Sequence, residues 1–277
     1  MTATSQSRYA SMLELEFAQL SHPGQVRGHN EDFIGHALPE SPERVRSHGW
    51  FFALADGVGG QALGEVASRI AVESTLEGFR KAGPGESHMS LLAHAVQAAN
   101  TMVYEAGRSA SPGGVAMATT LVACALRFDR LAVAHVGDSR CYLLRRGSAH
   151  LLTRDHTIVN EQVRLGVMSA GEALKAETRH VLSRSLGNDL FVKADTSEHQ
   201  ILKGDVVLLC SDGLHGALPE LEIARVVGRS LDLRVAAEQL IELANDRDGS
   251  DNVSVQLIRV RATEPMGMYR GRPYKLR

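Results

Sequence analysis

The sequence predicts an α+β fold in which antiparallel sheets are covered by layers of helix. β-prone runs occur near both ends of the chain and in its middle, and helical patterns come in pairs between them. Strand–helix–strand units rarely alternate, which argues against a doubly wound parallel sheet.

Each element has a local reason. Residues 1–11 are polar and are expected to be disordered. From Met12 the chain alternates, with Leu13, Leu15 and Phe17 on one face and Glu14 and Glu16 on the other, as in a half-buried strand. Residues 49–57, GWFFALADG, read as a buried strand ending in a turn. Residues 62–81 place Val66, Ile70 and Ala71 on one helical face, and AGPGES then supplies turn chemistry. A second helix over about 88–108 carries the stripe Leu91, Leu92, Ala95, Val96, Ala99, Met102 and Val103. ATTLVACALR, LAVAHVGDSR, CYLLRRG and AHLLT are short β-prone runs and read as one antiparallel meander. Residues 157–190 are more polar and suggest helix mixed with a mobile segment. Residues 196–213 return to strands, helices follow at about 219–228 and 232–245, and the last strand covers 252–260. Residues 12–262 are expected to form one domain. Residues 263–277, basic and aperiodic, read as a flexible tail.

Bulk properties narrow the function. A chain of 277 residues buries a large core without disulfides. The net charge of −2 gives no reason to expect a nucleic-acid partner. Cys124, Cys141 and Cys210 are odd in number and far apart, so they read as reduced, structural residues. No run of eighteen apolar residues suggests a membrane span, and the N-terminus lacks the pattern of a secretory signal. The cytoplasm is the expected compartment.

Acidic residues recur where strands end: Glu31 and Asp32 in RGHNEDF, Asp56 in ALADGVGG, Asp138 in HVGDSR, Asp212 in LLCSDGL and Asp251 in GSDNVSV. Each alone is compatible with a turn or a helix cap. Together they are compatible with a cation site. Carboxylates at short range repel and need protons or cations to neutralise them, and hard oxygen ligands suit Mg²⁺ or Mn²⁺. Glycine after Asp56 would let a backbone carbonyl approach a metal.

Read in order, GQVRGHNEDF, FFALADGVGG, TTLVACAL with VAHVGDSRCYLLRRG, LLTRDHT, RHVLSRSLG, GDVVLLCSDGL and DGSDNVSVQLI resemble the motifs of the protein phosphatase 2C family over about residues 13–262. The resemblance implies a four-layer α-β-β-α sandwich, two antiparallel sheets flanked by helices. It implies hydrolysis of phosphoserine and phosphothreonine in proteins by a bridging hydroxide at a dinuclear Mn²⁺ or Mg²⁺ centre. By motif position, Asp56 would bridge two metals, Asp212 and Asp251 would complete the first, and the Gly57 carbonyl would bind the second. Glu31 and Asp32 would act through water or orient ligands. Asp138, with Asp212, would hold a third metal. Arg27 matches the phosphate-binding arginine. Partners would be phosphorylated proteins, including a Ser/Thr kinase and its substrates, and the chain is expected to be a monomer.

One departure is informative. Many eukaryotic members carry His after the second-motif Asp-Gly, as a proposed general acid; here that position is Val58. His180, in the segment resembling the mobile flap (about 158–188), is a candidate substitute. His135 reads as a satisfied core histidine, His156 as a loop-holding one, and Arg140 as a structural partner of nearby carboxylates or carbonyls. Gly59 and Gly60 read as turn residues. The competing readings are a catalytically weak binding or regulatory module of the same fold, a phosphatase dedicated to one small partner, and a different dinuclear metallohydrolase. Intact Asp56, Asp212 and Asp251 count against the first, the lack of a sensor domain against the second, and the lack of His-rich motifs against the third.

Overall fold

A computed structural model describes residues 13–58, 63–83, 85–110, 117–173, 175–264, 266–269 and 272–275. In chain order the elements are β1 (Leu13–His22), β2 (Asp32–Ala37), α1 (Pro42–Ser47), β3 (Trp50–Asp56), α2 (Gly64–Lys81), α3 (His88–Ser109), β4 (Leu121–Arg127), β5 (Arg130–Val136), β6 (Arg140–Arg145) and β7 (Ser148–Leu151). There follow α4 (Ile158–Arg164), α5 (Ala170–Ala173), a 3₁₀ turn (Glu177–His180), β8 (Asp195–Gln200), β9 (Val206–Cys210), α6 (Asp212–Ala217), α7 (Glu220–Arg229), α8 (Leu233–Arg247), β10 (Val253–Thr263), β11 (Met266–Tyr269) and β12 (Arg272–Lys275).

The large strands form two five-stranded sheets, ordered β1-β10-β9-β6-β7 and β2-β3-β4-β5-β8, with every neighbouring pair antiparallel. Alternation along β3 shows how they stack. Phe52 and Leu54 face the other sheet and join Phe17, Val122, Cys124, Cys141, Leu209 and Ile258 in the inter-sheet core. Phe51, Ala53 and Ala55 point the other way, against α2 and α3. On the far side, Leu208, Cys210, Val255 and Leu257 pack against α6, α7 and α8. The result is the expected four-layer α-β-β-α sandwich. Because both faces are covered, the central strands read as unbroken apolar runs rather than as alternating ones. The three cysteines are free and fully buried, and burial pushes the Cys210 thiol up to about 12.

Several expectations are corrected. The middle runs are not one meander: β4 and β5 pair in one sheet, whereas β6 and β7 belong to the other. Both sheets bury both faces here, so hydrophobic pattern alone does not separate them. The switch occurs at residues 137–139, where Gly137 has φ +101 and a Cβ would lie 2.6 Å from Thr120 Cγ2. Residues 196–213 are not all extended, because Asp212 opens α6. Helix α2 buries small residues at its start, Gly64, Ala67, Ser68 and Ala71, and larger ones, Val72, Leu76 and Phe79, after them, whereas Val66 and Ile70 are only partly buried. In α3, Met102 is 52% exposed and lies off the buried stripe. The tail segment contains a short hairpin, β11 paired with β12, whose four-residue strands are too brief to read as alternation. Residues 1–11 and the pair Gly59 and Gly60 lie outside the described residues.

Phe52→Ala should lower unfolding stability by about 4 kcal/mol, because the ring is fully buried and sits edge-on to Phe17 at 5.3 Å. Urea unfolding measures this, and a loss below about 1 kcal/mol would contradict a tightly packed inter-sheet core.

Candidate active site

Antiparallel pairing brings the acidic positions together. At one end of the sandwich β3, β5 and β9 finish while β2, β6 and β10 begin. Asp32 lies directly opposite Asp56 across β2 and β3. Asp138 occupies the crossing from β5 to β6, Asp212 is the first residue of α6, and Asp251 precedes β10. Arg27, Glu31, Asp56, Gly57, Asp138, His180, Asp212 and Asp251 line one cleft of about 430 Å³. Asp32 lies beneath it, 8% exposed. All nine sequence-predicted site residues are therefore at or directly under this cleft.

Polar neighbours hold the carboxylates in place. The Asp56 amide donates to Thr120 Oγ1 (2.9 Å), and Thr119 Oγ1 donates to the Asp56 carbonyl (2.8 Å). Ser211 Oγ donates to Asp32 Oδ2 (2.8 Å). His215, one turn into α6 from Asp212, donates through Nε2 to the Asp138 carbonyl (3.0 Å). Asn252 clamps the loop that carries Arg27 and Glu31: its Nδ2 donates to the Pro23 and His29 carbonyls (2.9 and 3.0 Å), and its Oδ1 accepts from the Glu31 amide (2.8 Å). A Cβ at Gly57 would meet the Gly64 carbonyl oxygen at 2.3 Å, so only glycine fits that turn. Sequence reasoning missed Thr119, Thr120, Ser211 and His215, since isolated hydroxyls and a lone histidine give no pattern to read.

Arg27 binds Asp251 Oδ2 through Nη2 (2.8 Å) and the Ser250 carbonyl through Nε (3.3 Å). Nη1 makes no hydrogen bond with any described residue. His180 points Nδ1 at Asp212 Oδ2 (4.0 Å), while its Nε2 accepts from Arg179 Nε (2.8 Å). That pairing leaves the ring proton on Nδ1, facing the cleft.

The electrostatics of the cluster are unfavourable for bare carboxylates. Loss of water pushes Asp32 up to about 7 and Asp138 up to about 8, and raises Asp56 well above the usual carboxylate range. Asp212 and Glu31 are raised by the same cause. Neighbouring carboxylates add to the effect at Asp56, with Asp32 the largest contributor after burial. Asp32 Oδ1 and Asp212 Oδ1 are buried with no hydrogen-bond partner. Buried charge without a partner is costly, so the donor set fits hard divalent cations.

The other predicted residues are structural. Arg140 grips Asp155 with two hydrogen bonds (2.8 and 2.7 Å) and Tyr142 Oη with a third (2.8 Å). His135 is buried and bonds the Arg154 carbonyl through Nε2 (2.8 Å). His156 accepts from the Gly137 amide through Nδ1 (3.2 Å), and its buried Nε2, 3.4 Å from Asp195 Oδ2, makes no hydrogen bond among the described residues. His135, His156 and Asp195 are close enough to suggest a metal site. Arg154 and Arg184 already grip the Asp195 carboxylate (3.1 and 3.0 Å) and the His135 ring stacks on His156 at 4.7 Å, so the three form a packed structural cluster.

The raised carboxylates predict a pH-dependent stability. Their folded pKa values exceed the unfolded values near 4, so the folded state binds more protons. The resulting stability is fully present below about pH 4 and is lost as pH rises through about 7 to 8. With a chelator present, this contribution should make the melting temperature fall between pH 5 and pH 8. Added Mn²⁺ should raise it more at pH 8 than at pH 5, because protons and cations compete for the same oxygens. An equal shift at both pH values would contradict this cluster as the cation site.

Comparison with known proteins agrees with this geometry. The model of the family described as protein phosphatase 2C matches residues 21–253. The serine/threonine phosphatase stp of Listeria welshimeri is 32% identical over 238 residues, covering 85% of this chain and 92% of its own. Protein phosphatase PhpP of Streptococcus pneumoniae is 30% identical over 246 residues, covering 88% and 97%. Among solved structures, the S. agalactiae serine/threonine phosphatase superposes with a TM-score of 0.80 at 33% identity, covering 89% of this chain and 99% of its own. The catalytic domain of the serine/threonine protein phosphatase PstP, solved with two manganese ions, does so with a TM-score of 0.75 at 33% identity, covering 90% and 99%. The chain thus belongs to the protein phosphatase 2C family, whose members are metal-dependent protein phosphatases.

Proposed function

We propose that this chain hydrolyses phosphoserine and phosphothreonine in proteins at a dinuclear Mn²⁺ or Mg²⁺ centre, and that it reverses the action of a Ser/Thr kinase in the cytoplasm. The observation that carries this is the set of buried carboxylates at one cleft, two of them with unpartnered oxygens. Among the described residues no helix is long and apolar enough to cross a membrane.

Asp56, the Gly57 carbonyl, Asp212 and Asp251 would hold the two cations, and Asp138 with Asp212 a third. Glu31 and Asp32 would bind through water or orient the ligands. Divalent cations held there would supply Lewis acidity, lowering the pKa of a water and offsetting charge on the phosphoryl group. The chain's own groups do the rest. Arg27, held by Asp251 and the Ser250 carbonyl, would offer the remaining guanidinium donors on Nη1 to a phosphoryl oxygen at the cleft edge. Thr120 and Thr119 keep Asp56 in place, and Asn252 keeps the Arg27 loop in register with Asp251. His180, whose Nδ1 lies 4.0 Å from Asp212 Oδ2 at the cleft, is the candidate to protonate the departing serine or threonine oxygen; it would act as imidazolium, with Nε2 protonated and released from Arg179, and would return to neutral imidazole, a role that Val58 cannot take.

Chelated protein should be inactive on phosphoserine and phosphothreonine peptides, and Mn²⁺ or Mg²⁺ should restore activity, with phosphotyrosine a poor substrate. Asp56→Ala should lose roughly 100-fold or more in kcat, about 3 kcal/mol of barrier, while keeping its circular dichroism. Near-normal turnover in that variant would overturn the assignment.

His180→Gln should slow a phosphothreonine peptide by roughly 100-fold yet leave p-nitrophenyl phosphate nearly unchanged, since nitrophenolate departs without a proton. Equal slowing of both would remove His180 from the proton-donor role.

A further inference from the structure

A second groove, of about 350 Å³, lies at the opposite end of the same sheet. It is lined where β6 and β10 finish and β9 begins, together with the end of α7. The five-residue length of β9 therefore separates it from the cleft by about 16 Å or more.

Its lining is cationic. Arg145, Arg146, Arg259 and Arg261 all line the groove. Two carboxylates oppose them: Asp205 takes both arms of Arg145 (2.9 and 2.7 Å), and Glu16 is shared by Arg259 and Arg261. Among the lining residues and these ion-pair partners, four guanidinium groups meet two carboxylates, an excess of two positive charges. Arg146 holds left-handed backbone (φ 52), is exposed, and makes no hydrogen bond or ion pair with any described residue. Asp232, the nearest other acid in sequence, is turned away into the cap of α8, accepting from the Arg234 amide (2.7 Å). Leu231, on the rim, is 92% exposed, and Leu144, Val206 and Val227 form an apolar floor. None of the groove's lining residues lines the cleft, and its floor is the edge of the core beneath α7.

We propose that this groove docks an acidic segment of a protein substrate, with Arg146 and Arg261 pairing its carboxylates and Leu231 covering an adjacent aliphatic side chain. An oxyanion suits guanidinium geometry, and burying an apolar contact beside the ion pairs gives the groove selectivity over a diffuse polyanion. Charge at such a rim raises the encounter rate and lowers KM without touching the chemical step. The substrate half of the proposal rests on the phosphatase reading above; the binding half does not.

The test uses two phosphothreonine peptides that differ only beyond a linker of about ten Gly/Ser residues, long enough at roughly 33 Å to reach from cleft to groove. One ends in a run of Asp and Glu around a Leu, the other in Ser and Asn around a Leu. On the full chain with Mn²⁺, the acidic peptide should have a KM roughly five- to tenfold lower at equal kcat. Arg146→Glu should erase that advantage, Leu231→Asp should reduce it, and p-nitrophenyl phosphate turnover should stay constant in both. Both side chains are exposed, so folding is not at risk. Equal KM values for the two peptides with the unaltered chain, or an advantage that survives Arg146→Glu, would overturn the proposal. Separately, a fluorescent acidic peptide without phosphate should bind the full chain by anisotropy, weaken on Arg146→Glu and weaken at about 0.5 M NaCl. Binding without turnover of either peptide would sink the phosphatase reading alone, and turnover without binding would sink the docking site alone. Tighter binding through Arg146 to duplex DNA or to anionic vesicles would overturn the choice of a protein segment.

Discussion

Mutual repulsion among carboxylates is the constraint around which this molecule is arranged. Asp32, Asp56, Asp138 and Asp212 are forced together with little water, and each is pushed above its usual range by that burial. Nothing local favours this. It persists because each acid is anchored to a strand end whose other residues are committed to the core. The sandwich supplies the free energy that holds the acids close, and cations or protons supply the neutralisation.

The same geometry explains the supporting residues. Thr120, Ser211, His215 and Asn252 do not face the chemistry as charged groups; they bond amides, carbonyls and one carboxylate around it. Each joins two segments far apart in sequence, such as Asn252 with Pro23 and His29. A cleft whose acids repel must be braced from outside, or its walls would part. Arg27 joins this bracing through Asp251, while its Nη1 bonds no described residue. The two ends of the first sheet thus differ in sign: acids gather where β9 finishes and arginines where it begins.

How much was legible follows from how each feature is encoded. The strand at 13–17, the helices near 62–81 and 88–108, and the last strand were readable because their apolar periods are local. The assignment of β6 to the other sheet was not, since a strand buried on both faces looks the same in either sheet. Met102 fell off the stripe because a long helix drifts in phase against the sheet it covers. Asp212 at the start of a helix was hidden by the apolar run before it, which reads as strand up to the turn.

By itself the sequence determined which residue types stand at strand ends, and the ordered motifs carried the family and its four layers. Whether Asp32, Asp56, Asp138, Asp212 and Asp251 share a cleft was decided only by tertiary structure. Their separations along the chain are far longer than any local period. Only antiparallel pairing, which returns every second strand end to the same edge, places them together. The stacked pair His135 and His156, and the arginine groove at the far edge, were decided at the same level, because both draw residues from strands and loops that meet only in the finished sheets.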